Sequence, residues 1–525
     1  MSTFKLVLLE TSDIHGNILP LLYGTNKKAE LGLAKVATLI KQERKRNEHT
    51  ITIDNGDLIQ GTPLTYHYAR FQRSQPNPMV AILNDLHYDA GVFGNHEFNY
   101  GLEMLNQAVK ESRYPWLSAN IVNSKTGEPY FGKPYLVKSF PGGPRIGILG
   151  LTTKYIPHWE KEEHIRGLRF EDVIVTAKKW VRFLKEEENV DLVVVSYHGG
   201  FERDLDTSEP TETLTGENQG YELCMEVEGI DILLTGHQHR QIAGKTINGV
   251  LVVQPGCHGL TLGKVTVEFQ KSQNGFHVVK KDSELLSVDG IEPDSSVLAS
   301  IQSYEDEVQK WLDQLIGKIK GDMTVTDPLE IRLKDSALME FINKVQMHAA
   351  GVHVSNTALF DNHSRGIPVD VTMRNVVANY IYPNTLVVLK VTGQIVKDAL
   401  ERSASYFELS DDGTTVVVSK TFTTPKPQHY NYDMWEGIQY ELDIRKPIGE
   451  RVTRLEYNGA KLLPHQELEV VMNNYRAGGG GNYMMYKDCP VVKDIPIDVS
   501  ELIANYILEH EIIEATVNHN WKVVY

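Results

Sequence analysis

Short apolar runs that stop at polar tips recur along the first 270 residues of the chain. Each run is rich in Val, Ile and Leu, which is typical of strands buried in a layered sheet. Apolar residues near helical spacing fill stretches between some of the runs, at 32–43 and 173–186. Strand, polar tip and helix in this rhythm predict a layered α/β domain. The runs are KLVLLE, TITIDNGD, DAGVFGNHE, RIGILGL, DLVVVSYHGG, DILLTGHQH and LVVQPGCHG.

A charged amphipathic run at 291–320 interrupts this pattern. It predicts one long linker helix, with Asp294 or Ser295 as the N-cap. Beyond it, DSALMEFINKVQMHAAG predicts a helix, while TLVVLKVTG, GIQYELDI and ELEVVMNNY predict strands. The predicted organisation is a layered α/β domain at 1–290, a linker helix at 291–320 and an α+β domain at 321–525.

Composition and charge narrow the classes of protein that fit. The chain has 525 residues, 41% hydrophobic and 23% charged, which is typical of a globular protein with two to four domains. Its net charge of −16 excludes the broad basic surface that binds long nucleic acids. Small anions remain possible partners where metal ions or positive side chains are concentrated.

Targeting and redox signals are sparse. No window approaches the roughly 20 apolar residues of a membrane span, so no membrane association is expected. The first residues lack the basic region and cleavage site of a signal peptide, and we expect a cytoplasmic location. Cys224, Cys257 and Cys489 are widely spaced and odd in number, so we expect neither a disulfide framework nor a cysteine metal site.

Five of the polar tips carry side chains that bind metals. One such residue at a strand end is usually a capping or hydrogen-bonding group, but five tips in succession make that interpretation improbable. Two ligands one residue apart can face the same way on an extended strand. The residues are Asp13 and His15 in TSDIHGN, Asp57 in DNGDLIQG, Asn95 and His96 in GNHEF, His198 in SYHGG, and His237 and His239 in TGHQHR.

This ligand set indicates a catalytic metal site. Oxygen and imidazole ligands without thiolate suit Mn²⁺, Fe, Zn²⁺ or Co²⁺ in five- or six-coordinate geometry. Even seven of these eight side chains are too many for one ion that keeps an open position, and a carboxylate such as Asp57 can bridge two ions. Two such ions would lower the pKa of a bound water and hold the attacking and leaving oxygens of a phosphate ester.

The ordered motifs DxH, GDxxxG, GNHE, HGG and GHxH resemble those of the calcineurin-like metallophosphoesterases. With its second domain, the whole chain resembles the two-domain 5′-nucleotidase family. DNGDLIQGTPL, GNHEFNYGL, YIYPNTL and NNYRAGGGGN are similar to segments of the bacterial 2′,3′-cyclic-nucleotide 2′-phosphodiesterase/3′-nucleotidase branch. The resemblance implies a four-layer β-sandwich flanked by helices and an α+β substrate-binding domain, in a protein that hydrolyses nucleotides. We expect a monomer.

The resemblance also implies a role for each residue at the tips. Two divalent ions, Mn²⁺, Zn²⁺ or Co²⁺, would share Asp57. His96 would face the substrate and either stabilise phosphoryl charge or protonate the leaving oxygen. Glu97 is expected to form structural hydrogen bonds. The remaining ligands would be Asp13, His15 and His239 on one ion, and Asn95, His198 and His237 on the other.

Two departures from the 5′-nucleotidase pattern favour the cyclic-phosphodiesterase branch. Asn99 stands where 5′-nucleotidases carry an aspartate three residues after His96, and His239 stands where they often carry glutamine. Asparagine beside His96 also predicts an imidazole that is less easily protonated. The alternative on the same scaffold is a 5′-nucleotidase or nucleotide-sugar hydrolase. Two further alternatives are a non-catalytic nucleotide-binding protein and an enzyme that cleaves RNA.

The resemblance places nucleoside recognition in the second domain. Tyr430 and Tyr475 would stack on the two faces of the base, with Tyr432 as a competitor for the first position. Arg365 and Arg476 would contact phosphate or ribose, unless they are ordinary surface arginines. The glycine run at 478–481 predicts a loop that a ligand can approach closely. The role of His258, at a sixth tip, stays open between support of the site and an ordinary surface position.

Overall fold

The computed structural model describes residues 3–212, 214–273, 275–380, 382, 384–410, 412–495 and 497–525. The chain forms two compact units, Met1–Val308 and Gln309–Tyr525. Across the described residues, no helix combines the length and apolar content needed to cross a bilayer. Within the described residues, Cys224, Cys257 and Cys489 form no disulfide bond.

The first unit alternates strands and helices. Its strands are β1 (Thr3–Thr11), β2 (Leu21–Leu22), β3 (Lys27–Lys28), β4 (Thr50–Asp54), β5 (Ala90–Val92), β6 (Trp116–Leu117), β7 (Ile121–Asn123), β8 (Tyr135–Ser139), β9 (Arg145–Thr152), β10 (Leu168–Phe170), β11 (Leu192–His198), β12 (Ile232–Thr235), β13 (Gln241–Ile247), β14 (Val250–Pro255), β15 (Thr261–Ser272) and β16 (Gly275–Ser287). Its helices are α1 (Leu33–Arg46), α2 (Pro63–Phe71), α3 (Pro78–Asp85), α4 (Gly101–Glu111), α5 (Val173–Glu186) and α6 (Gly220–Glu226).

Two six-stranded sheets build a sandwich. Their strand orders are β16-β15-β1-β4-β5-β6 and β13-β14-β12-β11-β9-β8. Side chains from both sheets, such as Leu6 of β1 and Val194 of β11, meet in one apolar core. On the outer face of the second sheet, Val193 and its neighbours pack against α5 and α6. Both faces of the central strands are buried, which explains the continuous apolar runs in the sequence. The predicted layered sandwich is confirmed.

The central strands are parallel, so their carboxyl ends share one edge. Strands β1, β4, β5 and β6 run parallel in the first sheet, and β9, β11, β12 and β14 run parallel in the second. The registers Thr11 with Asp54 and Tyr197 with Thr235 keep these ends level. The polar tips that follow them are thereby brought to the same edge of the sandwich, where α/β sheets bind ligands.

The predicted linker helix is shorter than expected. Helix α7 spans Ser295–Leu312, and the Oδ1 of Asp294 accepts the backbone N–H groups of Ser296 and Val297, which confirms the N-cap. The prediction of helix up to residue 320 is wrong, because β17 (Leu315–Lys320) follows. In β17, Ile316 and Ile319 are buried, and the strand pairs with two neighbours. These long-range contacts outweigh the amphipathic helical pattern.

The second unit has mixed architecture. Its further strands are β18 (Met323–Thr324), β19 (Val354–Ala358), β20 (Gly366–Ile367), β21 (Asp370–Thr372), β22 (Leu386–Thr392), β23 (Phe407–Leu409), β24 (Val416–Val418), β25 (Asp433–Glu436), β26 (Gln439–Asp443), β27 (Val452–Tyr457), β28 (Ala460–Lys461), β29 (Glu467–Asn473), β30 (Val491–Ile495), β31 (Ile512–Glu514) and β32 (Trp521–Val524). Its helices after α7 are α8 (Pro328–Leu333), α9 (Ala337–Ala350), α10 (Met373–Asn379), α11 (Gly393–Ala404), α12 (Asn474–Ala477) and α13 (Val499–His510).

Three larger sheets organise this second unit. A five-stranded sheet has the order β25-β19-β29-β22-β30, and a four-stranded sheet has the order β28-β27-β26-β32. The third sheet is β21-β17-β31. Helix α9 packs against β19 and β25. The α+β domain and the helix and three strands predicted in it are confirmed. Of the tyrosines predicted to bind the base, Tyr430 precedes β25, and Tyr475 lies in α12, directly after β29.

Candidate metal centre

The turns after the parallel strands are tight and left-handed. Five of the seven predicted ligands have positive φ, a conformation that costs most L-residues about 1 kcal/mol but that Asp and His adopt more readily than bulky residues. Such strain clusters where a structure must aim a side chain. The residues are Asp13 (φ 53°), His15 (49°), Asp57 (55°), His237 (66°) and His239 (58°).

Glu97 fixes the turn that carries Asp57. Its fully buried carboxylate accepts the backbone N–H groups of Asp57 at 2.8 Å, Leu58 at 2.7 Å, Ile59 at 3.3 Å and Gly94 at 2.6 Å. Burial, and next the charge of Asp57, raise the pKa of Glu97. The structural hydrogen-bonding role predicted for Glu97 is confirmed, because four backbone donors from two turns converge on one side chain.

One group of ligand atoms contains Asp13, His15 and His239. The two Nε2 atoms of the histidines lie 3.1 Å apart, and Asp13 Oδ1 lies 3.4 Å from His239 Nε2 and 3.9 Å from His15 Nε2. Ligands at about 2.1 Å from one ion are about 3.0–3.4 Å apart at octahedral or tetrahedral angles, and up to about 4.2 Å apart when they lie on opposite sides of it. This spacing fits a single cation held by three side chains.

A second group contains Asp57, His198 and His237. Asp57 Oδ2 lies 3.2 Å from His198 Nε2. The Oδ1 of Asn95 completes the group, at 3.2 Å from His198 Nε2 and 2.9 Å from His237 Nδ1. The four side chains are the ones that the resemblance assigns to the second ion.

Asp57 lies between the two groups. The same oxygen, Oδ2, is 3.2 Å from His198 Nε2 and 3.8 Å from His15 Nε2, while Oδ1 accepts the backbone N–H of His96 at 2.8 Å. Gly94 permits this approach, since a Cβ at that position would come within 2.2 Å of Asp57 Oδ1. Asp57 is therefore placed to serve two ions at once.

Three of the candidate histidine ligands use one ring nitrogen for a hydrogen bond, which leaves the lone pair of the other nitrogen for a metal ion. His15 Nδ1 and His198 Nδ1 face the carbonyl oxygens of Gln60 at 3.2 Å and Asn55 at 2.7 Å, and must donate to them. His237 Nε2 likewise donates to the Oε1 of Glu217 at 2.9 Å. Each ring thereby offers its other nitrogen, the tautomer that a metal ligand requires. The donor set fits divalent ions.

The electrostatics favour charged carboxylates here. Burial opposes ionisation of Asp13 and Asp57, yet the surrounding histidines hold the pKa of both carboxyls well below the usual range. Burial pushes the pKa of His15 well down, whereas at His198 the charge of Asp57 outweighs burial and raises the pKa to about 10. A divalent cation at His198 Nε2 would take the place of that proton.

His96 lies beside both groups without belonging to either. Its ring centroid is 5.2 Å from that of His15, and its Nδ1 lies 2.7 Å from the Oδ1 of Asn99. The ring of His258 lies 5.7 Å from that of His15 and 6.0 Å from that of His239, and its backbone N–H donates to Asp13. His258 is thus at the edge of the first group, where sequence reasoning left its role open.

The second unit separates the competing tyrosines. Tyr430 and Tyr475 are each half-buried, whereas Tyr432 is fully buried and packs on Tyr406 and Phe407. Only a ring with an accessible face can stack on a base. Between Tyr430 and Tyr432, the structure therefore favours Tyr430, and base binding by Tyr430 and Tyr475 stays a prediction.

The two predicted arginines differ in their surroundings. Arg365 is exposed, and its carbonyl accepts the backbone N–H of Val325. Arg476 is buried and forms an ion pair with Asp433. Its guanidinium also donates to the carbonyl oxygens of Tyr430 and Gly480. Arg476 is not the surface arginine that the sequence left as its alternative, and contact of either arginine with phosphate or ribose stays a prediction.

Some residues at the site gave no signal in the sequence. Glu217, in the loop before α6, meets His237, and Trp159 stacks on His237 with ring centroids 5.3 Å apart and planes 29° apart. Glu160 meets Asn99. These side chains come from loops without periodic patterning, so nothing in their spacing could have marked them.

Family models match both halves of the chain. Residues 6–241 match the calcineurin-like phosphoesterase domain, and residues 315–488 match the 5′-nucleotidase C-terminal domain. The chain is 30% identical to the 2′,3′-cyclic-nucleotide 2′-phosphodiesterase/3′-nucleotidase of Salmonella typhimurium, over 91% of this chain and 82% of that protein. It is 28% identical to the trifunctional nucleotide phosphoesterase YfkN of Bacillus subtilis, over 99% of this chain but 39% of that longer protein.

A solved structure shows the same architecture over the whole chain. A Staphylococcus aureus protein provisionally assigned as a 5′-nucleotidase is 36% identical, with a TM-score of 0.90 over 99% of this chain and 100% of that one. The candidate metal ligands lie in the part that matches the phosphoesterase domain, which implies bound divalent metals. The protein is a hydrolytic enzyme, and it belongs to the two-domain 5′-nucleotidase family of calcineurin-like metallophosphoesterases.

Proposed function

We propose that the protein opens 2′,3′-cyclic nucleotides at the 2′ position and then removes the 3′-phosphate from the product. The observation that carries the proposal is the position of Asp57, whose Oδ2 faces ligand atoms of both groups, at 3.2 Å from His198 Nε2 and 3.8 Å from His15 Nε2. A shared carboxylate holds two ions close enough to act on one phosphate.

The chain's own groups have separate tasks in this reaction. Asp13, His15 and His239 would hold one ion, while Asn95, His198 and His237 would hold the other. When bound, the two ions supply Lewis acidity and activate water. His96 would contact the phosphoryl oxygens or pass a proton to the leaving oxygen, since it lies beside both groups and is bound to neither.

Asn99 matches the pattern of the cyclic-phosphodiesterase branch and supports the assignment to that branch. An aspartate at this position would place a negative charge next to the His96 ring. Asn99 instead has a neutral amide oxygen, Oδ1, 2.7 Å from His96 Nδ1. Relatives named 2′,3′-cyclic-nucleotide 2′-phosphodiesterase/3′-nucleotidase support the same assignment. Hydrolysis of 5′-nucleotides is the second candidate, because relatives named 5′-nucleotidase also match nearly the whole chain at 24% identity.

In the second unit, Tyr430 and Tyr475 would hold the base by stacking, which tolerates every base because each has a π-face. Gly480 lies directly against the ring of Tyr475, where a Cβ would come within 2.5 Å of it. The loop backbone thus packs closely against the ring of Tyr475. Arg365, exposed in the same unit, would meet an anionic group of the nucleotide.

Steady-state hydrolysis of 2′,3′-cyclic AMP, 3′-AMP and 5′-AMP, with added Mn²⁺ and after chelation, tests the proposal. We expect the cyclic ester to be the best substrate and chelation to stop turnover. A higher kcat/KM for 5′-AMP would overturn the substrate assignment and leave the two-metal site intact. Absence of turnover on all three, with two ions bound, would favour the non-catalytic alternative.

Three further properties belong to the same proposal. We propose that Mn²⁺, Zn²⁺ or Co²⁺ occupies the site, since the ligands are imidazole, carboxylate and amide oxygen. Reconstitution of chelated protein with each ion, followed by kcat and bound-metal analysis, ranks them. A monomeric state and a cytoplasmic location are also proposed, and light scattering and cell fractionation test them. Hydrolysis of RNA is expected to be undetectable, given the net charge of −16.

A further inference from the structure

A chain of hydrogen bonds leads from His96 away from the predicted metal ligands. His96 Nδ1 lies 2.7 Å from Asn99 Oδ1, and Asn99 Nδ2 lies 2.7 Å from Glu160 Oε2. The other oxygen of Glu160, Oε1, lies 2.8 Å from His164 Nδ1. The chain therefore connects a residue beside the candidate metal centre with a carboxylate that comes from a separate loop.

Donor and acceptor rules fix the direction of every bond in this chain. A carboxylate only accepts, so the NH₂ group of Asn99 must face Glu160. The amide oxygen of Asn99 must then face His96, whose Nδ1 has to carry a proton. In the neutral imidazole this leaves Nε2 as the nitrogen that accepts a proton. Glu160 thus selects the tautomer of His96 without touching it.

Glu160 is itself held firmly. Its side chain is 5% exposed, and Oε1 accepts the backbone N–H of Lys161 at 2.8 Å in addition to His164. The next residue back, Trp159, stacks on His237. Two neighbouring residues of one loop therefore contact the candidate site. Trp159 contacts the candidate metal ligand His237, and Glu160 contacts Asn99.

We infer that Glu160 is a positioning residue of the active site: it orients the Asn99 amide so that the amide oxygen accepts a hydrogen bond from His96 Nδ1 and the ring lone pair lies on Nε2. The inference rests on the proposed function, since His96 acts there. It also explains how an asparagine at position 99 can accept a hydrogen bond from His96. An aspartate accepts from His96 in either orientation, whereas an asparagine does so only when a second acceptor holds its NH₂ group away.

The inference predicts that two harmful substitutions compensate each other. Glu160→Leu removes the acceptor and frees the Asn99 amide to rotate. Asn99→Asp places a second carboxylate at the 2.7 Å contact with Glu160 and repels it. In the double variant Asn99→Asp/Glu160→Leu, the carboxylate introduced at position 99 accepts from His96 without needing a partner, so the Nδ1–H tautomer returns.

The experiment measures kcat and KM for 2′,3′-cyclic AMP in the wild type, both single variants and the double variant. We expect each single variant to lose about 10–100-fold in kcat, with KM changed less than about twofold. The double variant should return to within about threefold of the wild-type kcat. Glu162→Gln, which neutralises an exposed carboxylate two residues away, is the matched control and should behave as wild type.

Two readouts do not depend on turnover. Bound metal should equal the wild-type content in all variants, because none of the substituted residues is a predicted ligand. Imidazole ¹⁵N NMR, with His96 assigned by loss of its signal in His96→Gln, should show Nδ1–H in the wild type and the double variant. Glu160→Gln, whose amide tolerates both orientations of Asn99, should show an intermediate tautomer population and an intermediate kcat.

Failure of the inference is distinct from failure of the proposed function. A wild-type kcat in Glu160→Leu, or no recovery in the double variant, would overturn the role of Glu160. If the wild-type enzyme does not hydrolyse the cyclic ester, the proposed function fails, and the ¹⁵N tautomer still decides whether Glu160 orients Asn99 and His96. A Glu160→Leu variant that keeps the Nδ1–H tautomer would also refute the inference.

Discussion

Arg476 and Asp433 form an ion pair that solvent does not reach: each side chain is 1% exposed, and Arg476 Nε lies 2.7 Å from Asp433 Oδ2. The same guanidinium donates to the carbonyl oxygen of Tyr430 at 3.1 Å, and its centre lies 4.0 Å from the ring of Tyr483. Since Arg476 follows Tyr475 in α12, this one side chain connects the two segments that carry the predicted base-stacking rings.

Breaking this pair should destabilise the second unit. Asp433→Asn leaves the buried Arg476 without its counter-charge, and such losses typically cost about 3–5 kcal/mol in free energy of unfolding. Thermal and urea unfolding measure the effect. Glu514→Gln, which breaks the exposed pair with Lys320, is the control and should leave the unfolding midpoint unchanged. Equal midpoints for both variants would show that the buried pair is not structural.

Tyr475→Ala should weaken nucleotide binding selectively. If the ring stacks on the base, its removal raises KM for 2′,3′-cyclic AMP by about 10-fold or more, since one base–aromatic contact contributes about 1–3 kcal/mol. A small chromogenic phosphodiester without a base should keep its KM. Tyr457→Ala, at a half-buried position of β27, serves as the control. The same rise in KM for both substrates would deny the stacking role.

Asp57→Asn should impair both metal positions at once. The amide has one neutral oxygen in place of the charged oxygen that faces His15 and His198, so both ions lose a shared ligand. We expect bound metal to fall and kcat to drop by more than about 10²-fold. Asp85→Asn, at an exposed carboxylate, is the control. Two bound ions together with a wild-type kcat would refute the shared role.

Regular patterns carried most of what the sequence could predict. Continuous apolar runs in the first half became buried parallel strands, and the helix predicted at 173–186 has those bounds in the structure. The linker helix was overextended because one amphipathic pattern continued past Leu312, whereas β17 is held by β21 and β31, which are distant from it in the sequence. Pairing over such distances leaves no local signal.

The candidate site shows the same limit. Strand tips predicted all seven proposed ligands, because parallel strands bring their carboxyl ends together. Glu217 and Glu160 escaped prediction, since they reach His237 and Asn99 from irregular loops. The sequence also could not predict which side chains are buried. Tyr430 and Tyr432 are two residues apart, yet Tyr430 is half-buried and Tyr432 is fully buried.

His96→Ala should lower kcat without affecting metal binding. His96 belongs to neither group of ligand atoms, yet its backbone N–H already holds Asp57 Oδ1, and that bond survives the substitution. Loss of a general acid or of charge stabilisation typically costs about 10²–10⁴-fold in kcat. Metal analysis and steady-state kinetics separate the two effects. His277→Ala, at an exposed position of β16, is the control. A normal kcat in His96→Ala would show that the role of His96 is structural.

The N-cap of α7 predicts a pH-dependent contribution to stability. Burial would raise the pKa of Asp294, but the Lys41 ammonium and the hydrogen bonds from Ser296 and Val297 outweigh it and lower the pKa to about 2. Because this is below the unfolded value of about 3.9, the charged group stabilises the folded state above that pH. The contribution is lost as the pH falls through the folded pKa.

Two substitutions separate the cap from the charge. Asp294→Asn keeps an N-cap acceptor but loses the pair with Lys41, whereas Asp294→Ala loses both and should cost about 1 kcal/mol more from the cap. Thermal unfolding between pH 7 and pH 3 measures each difference. The gap between wild type and Asp294→Asn should shrink as the pH falls below about 4, because the carboxylate of the unfolded chain takes up a proton there while that of the folded protein stays charged down to about pH 2. A gap that stays constant over this range would show that the Asp294 charge does not stabilise the helix.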